Sequence, residues 1–284
     1  MRVGLYINSK KKKLPLVLDI IFELFSFDKG EIVFLNAFDF IEQKYSGKFD
    51  SFETSEDLDY DILLAIGGDG TTMSAIRSQF HLNKPVLGIH VGNLGFLAES
   101  DLDSCRNAIS QLLDKNYDTQ LRSVFNVAVD NESYISINDV VIDRGESGRI
   151  IRLNVLDRGK NVNSYEGDGL IISTANGSTG YSLSAGGPII SPDLHLFTLT
   201  PICSHSLMTR TIVLSQNSRL SIQFPEGQDK GKLTIDGQRT LQIGENIKID
   251  IEIPSKKVPF VIFDDSDYYK KLKTKMGWYN SRND

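Results

Sequence analysis

Cysteine is almost missing from this chain: Cys105 and Cys203 are the only two in 284 residues. They stand far apart in sequence, which excludes a local metal-ligand spacing and a disulfide framework and leaves two buried free thiols as the default expectation. Long apolar runs are missing as well. No segment approaches the length of a membrane span, and "MRVGLYINSKKKKLPL" puts its apolar residues before its basic cluster, unlike a secretory signal. Positive charge is also in short supply, with 31 basic residues against 37 acidic ones and a formal net charge of −6. That balance argues against sequence-independent nucleic-acid binding, so any anionic ligand has to be held locally. The expectation is a cytoplasmic protein with neither nucleic acid nor membrane as partner. What the chain does have is 40% hydrophobic residues, enough for a substantial core in one large domain or two coupled ones.

The pattern of that hydrophobicity changes near residue 120. Before it, "RVGLYIN" (2–8), "EIVFLNAF" (31–38), "YDILLAIG" (60–67) and "PVLGIHV" (85–91) read as strands, and "LPLVLDIIFELFSF" (14–27) has helical spacing. "YDILLAIG" is apolar on both faces, as a buried parallel strand requires. Ser100 to Tyr117 reads as an amphipathic helix capped by Ser100 or Asp101. From about 122 to 253 short strand-like segments recur between Gly, Asn and Asp punctuation, interrupted by "GSTGYSLSAGGPII" (177–190), which reads as a binding loop running into a short helix. The tail, 264–279, returns to helical spacing and carries the only Trp, expected to pack back on the first domain. The fold class expected is α/β plus β: residues 1–120 an α/β nucleotide-binding domain with a parallel sheet and a GGDG loop, 121–255 a β-rich domain, and 256–284 a C-terminal segment returning to the first domain. Lys10 to Lys13 read as a solvated loop after the first strand, with phosphate contact as the minor alternative.

The segment "LLAIGGDGTTMSAI" (63–76) places three glycines around one carboxylate where an apolar strand gives way to a helix. Glycines let a ligand approach the main chain, and a helix N-terminus offers unpaired N–H donors and a positive dipole end, a combination that suits phosphate. Asp69 would repel phosphate unless it serves phosphate chemistry. It can accept a hydroxyl proton, hold a divalent cation, or merely cap the helix beginning near Thr71 or Thr72.

"GGDGT" (67–71) is shared by a clan of kinases. Further motifs, "GNLGFLAE" (92–99), "NDVVIDRG" (138–145), "DGLIISTANGSTGYSLSAGGPIISP" (168–192), "LTPICSHSL" (199–207) and "IDGQ" (235–238), resemble the NAD kinase family in order and approximate spacing from residue 60 onward. The resemblance implies transfer of the γ-phosphate of ATP to the 2′-hydroxyl of the adenosine ribose of NAD, with a divalent cation, Mg²⁺, accompanying ATP. It implies that Asp69 is the catalytic acid accepting the hydroxyl proton and that Gly70 lies against the ligand. Asn138 and Asp139 match the pair that contacts the dinucleotide. Asp168 and the loop Thr179, Gly180, Tyr181, Ser182, Leu183 and Ser184 match further dinucleotide contacts, with Arg149 and Gln238 carried over on weaker matches. The family also implies a homodimer or homotetramer. No His/Cys metal cluster is visible in the sequence.

The chain departs from the family pattern at several places. Ala175, Asn176 and Gly180 stand where Pro, Thr or Ser, and Ala are usual, a change expected to loosen the loop. Glu166 and Val91 occupy positions where arginine is frequent, and Glu166 would weaken phosphate contact there. Two other readings compete: a lipid kinase of the same clan, and a dinucleotide-binding sensor without turnover, against which the intact Asp69 speaks.

Overall fold

The computed structural model describes residues 1–28, 30–45, 52–54, 59–92, 95–147, 149–225, 231–244 and 247–278. Two compact units emerge, Met1–Gln120 with Val258–Asp284, and Leu121–Lys257.

In the first unit β1 (Arg2–Ile7), α1 (Leu14–Asp28), β2 (Glu31–Phe34), α2 (Phe38–Tyr45), β3 (Phe52–Thr54), β4 (Ile62–Gly67), α3 (Asp69–Gln79), β5 (Val86–His90), β6 (Ser100–Asp101), α4 (Cys105–Leu113) and β7 (Asp118–Arg122) follow in chain order. Strands β4 and β5 are buried at every position, which is why they read as continuous apolar runs rather than alternating ones. The sheet order β3-β2-β1-β4-β5 continues through a late strand to β7, with β6 paired to β5. Neighbours β1/β2, β1/β4 and β4/β5 are all parallel. Connections leave β1 toward one edge and β4 toward the other, so the chain reverses direction between these two strands. Open parallel sheets hold ligands at such a reversal, beside the carboxyl ends of the strands. The core under it is made by Leu5, Ile7, Leu64, Ile66, Leu87 and Ile89 with the apolar side of α1.

The second unit is built from β8 (Phe125–Val129), β9 (Glu132–Ser136), β10 (Asp139–Asp143), β11 (Ile151–Asp157), β12 (Lys160–Gly167), β13 (Gly169–Ser173), a 3-10 turn (Asn176–Thr179), α5 (Tyr181–Ser184), β14 (Leu196–Ile202), β15 (Ile212–Ser215), β16 (Arg219–Gln223), β17 (Gly231–Ile235), β18 (Arg239–Ile243) and β19 (Ile249–Glu252). Among the described residues they form two sheets, β15-β14-β13-β10-β17-β18 and β12-β11-β16-β19-β8-β9. Strand β8 alternates buried and half-buried positions, the mark of a strand with one face on a core. One apolar cluster draws on both sheets, and Phe125 of β8 stacks on Phe197 of β14 with centroids 4.8 Å apart.

The chain then returns. β20 (Val258–Ile262) enters the first sheet between β5 and β7, and α6 (Tyr268–Met276) follows. Of the helices expected from spacing, 14–27 is found as α1 and the other two are shorter than the pattern suggests. Asp101 accepts from the Ser104 N–H at 3.0 Å and the Ser104 hydroxyl at 2.8 Å, a turn that delays the helix to Cys105. In the tail Asp267 caps the Lys270 N–H at 2.9 Å, and Gly277 stops the helix at φ 66°. Leu272 is the buried side chain of α6, whereas Trp278, expected to pack inward, is 58% exposed. The expectation of two buried thiols holds for Cys105 and fails for Cys203, which sits exposed beyond the end of β14.

Candidate active site

Gly67 to Gly70 form the turn from β4 into α3, on the carboxyl edge of the sheet where β1 and β4 diverge. The amides of Thr71 and Thr72 both donate to the Gly68 carbonyl and the Gly68 N–H donates to Thr71 Oγ1 at 3.4 Å, so the first turn of α3 closes without the Asp69 side chain. The Asp69 carboxylate is directed elsewhere: Oδ2 accepts from the Phe96 N–H at 2.8 Å and Oδ1 from the Leu97 N–H at 3.2 Å. Helix capping is therefore not what holds it. Gly95 completes the arrangement, because a Cβ there would lie 1.8 Å from Asp69 Oδ1. Only glycine allows the 95–97 backbone so close to the acid. Asn8, which follows β1, reaches across the reversal to Thr71 Oγ1 at 3.5 Å, and the lysine run 10–13 starts beside it.

His90 ends β5 on the same edge, opposite Gly67 in the ladder. It is 6% exposed and neither ring nitrogen has a partner. Burial pushes its pKa below the ordinary histidine value; Asp69 and Asp101 oppose that shift, and Lys11 and Lys275 add to it.

In the second unit the turn before β10 carries Asn138 and Asp139, and its shape is enforced from the β17–β18 turn. Asp236, at φ 50°, accepts from Ser136 Oγ at 2.9 Å, the Ile137 N–H at 3.0 Å and the Asn138 N–H at 2.8 Å. The 176–179 turn packs on the other side. The Thr174 N–H donates to the Asn138 carbonyl at 2.9 Å, and a Cβ on Gly177 would lie 2.2 Å from that same oxygen. Gly180 faces Asp139 Oδ2. Burial first, and the neighbouring Asp236 second, push the Asp139 carboxyl up to about 7. Asn138 Oδ1 is buried without a partner. Here a neutral-or-charged carboxyl, an unsatisfied amide oxygen and glycine-lined backbone converge, a set suited to hydroxyls and ring nitrogens.

The loop residues divide by direction. Tyr181 and Ser184 are exposed and Thr179 is half-buried, with Thr179 Oγ1 on the Asn176 carbonyl at 3.2 Å. Leu183 is half-buried, while Ser182 is fully buried and turns its hydroxyl to Thr200 Oγ1 at 3.0 Å. Gln238 is exposed in the turn that begins at Ile235. The loop expected to be loosened is well tied: Ala175, Asn176 and Ser178 are buried, with Ser178 Oγ donating to the Ala175 carbonyl at 2.7 Å and accepting from the Ile190 N–H at 3.0 Å. These bonds hold the turn without a proline in it.

Asp168 and Arg149 are not brought to this cluster. Strand β10 pairs with β13 so that Asp139 faces Ser173 and Asp143 faces Gly169. Asp168 thus lies just past the far end of the pair, about 17 Å away at ~3.4 Å per residue. Its carboxylate pairs with Arg144 at 3.0 Å. Arg149 is exposed beyond that end, and Glu166 pairs with Arg152 at 3.0 Å.

Three contributors were not singled out from the sequence. His90 ended an apolar strand, Gly95 was one more glycine in "GNLGF", and Asp236 stood in a motif from which only Gln238 was taken. The Asp-Gly dipeptide between two strand-like runs did mark a turn, but not one whose carboxylate reaches 98 positions back to Asn138.

A glycine turn at the carboxyl edge of a parallel sheet with an acid held by amides suits phosphoryl transfer, and the turn before β10 in the second unit suits hydroxyl recognition, together the chemistry of a small-molecule kinase. Comparison with known proteins narrows this. The chain matches the ATP-NAD kinase N-terminal domain over residues 26–117 and the ATP-NAD kinase C-terminal domain over 137–263. It is 37% identical to the NAD kinase of Clostridium beijerinckii over 281 residues, 96% of this chain and 95% of that one. It is 38% identical to the NAD kinase of Sulfurimonas denitrificans over 224 residues, 77% and 78% of the two chains. Yeast NADH kinase complexed with NADH has the same fold, with a TM-score of 0.84, 24% identity and coverage of 100% of this chain and 89% of that one. An NAD kinase from Archaeoglobus fulgidus in complex with ATP gives 0.75 at 21% identity, covering 99% and 100%. The chain belongs to the NAD kinase family.

Proposed function

We propose that the protein transfers the γ-phosphate of ATP to the 2′-hydroxyl of the adenosine ribose of NAD, producing NADP and ADP. The hydroxyl oxygen forms a bond to the γ-phosphorus, the bond from that phosphorus to the β,γ-bridging oxygen breaks, and the hydroxyl proton passes to Asp69. The observation that carries this reading is the Asp69 carboxylate itself, released from its own helix and fixed by the Phe96 and Leu97 amides. The carboxylate contributes through position and charge, which this clamp supplies. Gly70 is assigned to lie against the ligand. Asn138 and Asp139 are assigned to the sugar and base, with Thr179, Gly180, Tyr181 and Ser184 lining the approach and Tyr181 offering a ring face. Ser182 and Leu183 hold the loop, and Gln238 borders it.

Among the described residues no three His, Cys, Asp or Glu side chains converge as a metal cage. A divalent cation, Mg²⁺, accompanying ATP would screen charge at the transferred phosphoryl group. Asp168 and Arg149 contribute only if a second copy presents them, because one copy holds them at the far end of β10 and β13. The same end carries Leu207 and Met208, 88% and 85% exposed, next to His205, whose N–H bonds the Glu166 carbonyl. A homodimer or homotetramer built on that tip is the assembly proposed, in the cytoplasm; among the described residues no helix is long and apolar enough to cross a membrane. Light scattering on Leu207→Glu tests it: a mass unchanged from wild type rejects this tip as the interface.

The activity is tested by incubating the protein with NAD, ATP and Mg²⁺ and detecting NADP with an NADP-specific dehydrogenase. NADP from the wild type and a loss of about 10²–10⁴-fold in Asp69→Asn are expected. A wild type that binds NAD but makes no NADP turns the protein into the non-catalytic sensor.

A further inference from the structure

The carboxyl edge of β4 and β5 carries a buried histidine that the kinase reading above does not use. His90 is 6% exposed, and both its nitrogens lack partners, although a buried polar group without a hydrogen bond is costly and calls for an explanation. Its Nε2–Cε1 edge is lined by backbone. A Cβ on Gly68 would lie 3.8 Å from both Nε2 and Cε1, and one on Gly92 would lie 4.0 Å from Nε2. The same Gly92 position is 3.8 Å from Lys11 Nζ. The backbone of Gly68 and of Gly92 thus stands beside the Nε2 edge of the imidazole.

The charges around this space have unequal commitments. Asp69 and Asp101 act on His90 electrostatically, as do Lys11 and Lys275. Asp69 is held by the Phe96 and Leu97 amides, and Asp101 by the Ser104 N–H and hydroxyl. No carboxylate among the described residues forms an ion pair with Lys11, and Lys275 lies over the Phe96 ring at 5.8 Å from its centre. The N-terminus of α3 adds its positive end. The two carboxylates are thus already hydrogen-bonded where they stand, and the two ammonium groups and the imidazole are left to meet something negative.

We propose that His90 is a direct phosphate ligand, forming with Lys11 and Lys275 a cradle for the oligophosphate of the phosphoryl donor. This rests on the kinase reading for the donor's identity, but the cradle recognises phosphate alone and predicts binding without a nucleoside. One imidazole N–H donates to a phosphate oxygen, and the approach of that anion favours the protonated ring, so that both nitrogens acquire partners.

The test is calorimetric titration of the whole protein with inorganic tripolyphosphate, alongside KM for ATP and for NAD. His90→Phe keeps a flat ring and removes both nitrogens; His90→Asn restores a donor; Lys11→Gln alters a loop lysine with little bearing on folding. Wild type is expected to bind tripolyphosphate, with affinity about tenfold or more weaker in His90→Phe and largely recovered in His90→Asn. Lys11→Gln is expected to weaken it several-fold and to flatten the salt dependence. KM for ATP should rise by the same factors while KM for NAD stays put. Tripolyphosphate binding that is absent in the wild type, or unchanged in a folded His90→Phe, overturns the proposal. Should His90→Phe fail to fold, unchanged binding in Lys11→Gln overturns it equally. Displacement of tripolyphosphate by NAD alone would assign the cradle to the dinucleotide's diphosphate and overturn the donor assignment. A wild type that binds tripolyphosphate through His90 yet makes no NADP rejects the kinase reading and leaves the cradle standing.

Discussion

The two units hold their acids in opposite ways. Asp69 is half-exposed, lies at a helix N-terminus on the edge of a parallel sheet, and has its position set by two amides. Asp139 is 7% exposed within an antiparallel sheet, close enough to the buried Asp236 to be pushed up to about 7. In the first unit backbone geometry decides where a carboxylate points. In the second, burial and a neighbouring charge decide whether a carboxyl is ionised. Parallel strands end together and leave amides and glycines at one edge, whereas antiparallel hairpins bring residues distant in sequence side by side in the interior.

Each half of this contrast can be broken separately. The largest effect is expected at Asp69, where Asn keeps the shape and removes the acid, lowering NADP formation by about 10²–10⁴-fold. Gly95→Ala attacks the geometry and leaves the acid. Its Cβ, 1.8 Å from Oδ1, displaces the carboxylate from its amides, and kcat should fall about 100-fold with the melting temperature nearly unchanged. A kcat close to wild type would mean that the clamp has no part in turnover.

In the second unit the same logic predicts a stability effect. Asp236→Ala strips the acceptors from the Ser136 hydroxyl and from the Ile137 and Asn138 amides, and should cost about 3–5 kcal/mol in urea unfolding. A cost below about 1 kcal/mol would show that the turn holds its shape without the carboxylate.

The smallest effect is a slope. Asp139 is raised from 3.8 to about 7, so the folded chain binds this proton more tightly than the unfolded one. Its stabilising contribution is complete below about pH 4, is lost as pH rises through about 7, and is constant above that, on the order of a few kcal/mol in all. Asp139→Asn should remove this part of the pH dependence. An identical slope in the variant would place the titrating group elsewhere.

The βαβ alternation, the switch to short strands and the glycine turn before α3 were all legible, because each is a local pattern of apolar spacing and punctuation. Asp69 stood out too, since an acid inside a glycine turn at a helix N-terminus is conspicuous on chemical grounds. Helix ends were less so: Asp101 and Asp267 each tie down a turn that periodicity does not register. Ser182 and Ser184 look alike in "YSLS", yet one is sealed against Thr200 and the other is exposed, a difference of facing direction within a single short turn.

What the sequence determined by itself was the family, the layout of alternating and antiparallel segments, and the residue types able to handle phosphate and hydroxyl groups. Local spacing and side-chain chemistry suffice for these. The tertiary structure decided which groups share a surface. It brought Gly95 against Asp69, placed Asp236 beneath Asn138, left the buried nitrogens of His90 without partners beside Gly68 and Gly92, and sent Asp168 to the far end of the strand pair from Asp139. Those outcomes depend on strand register and on the return of the chain, which bring together residues that no local pattern connects.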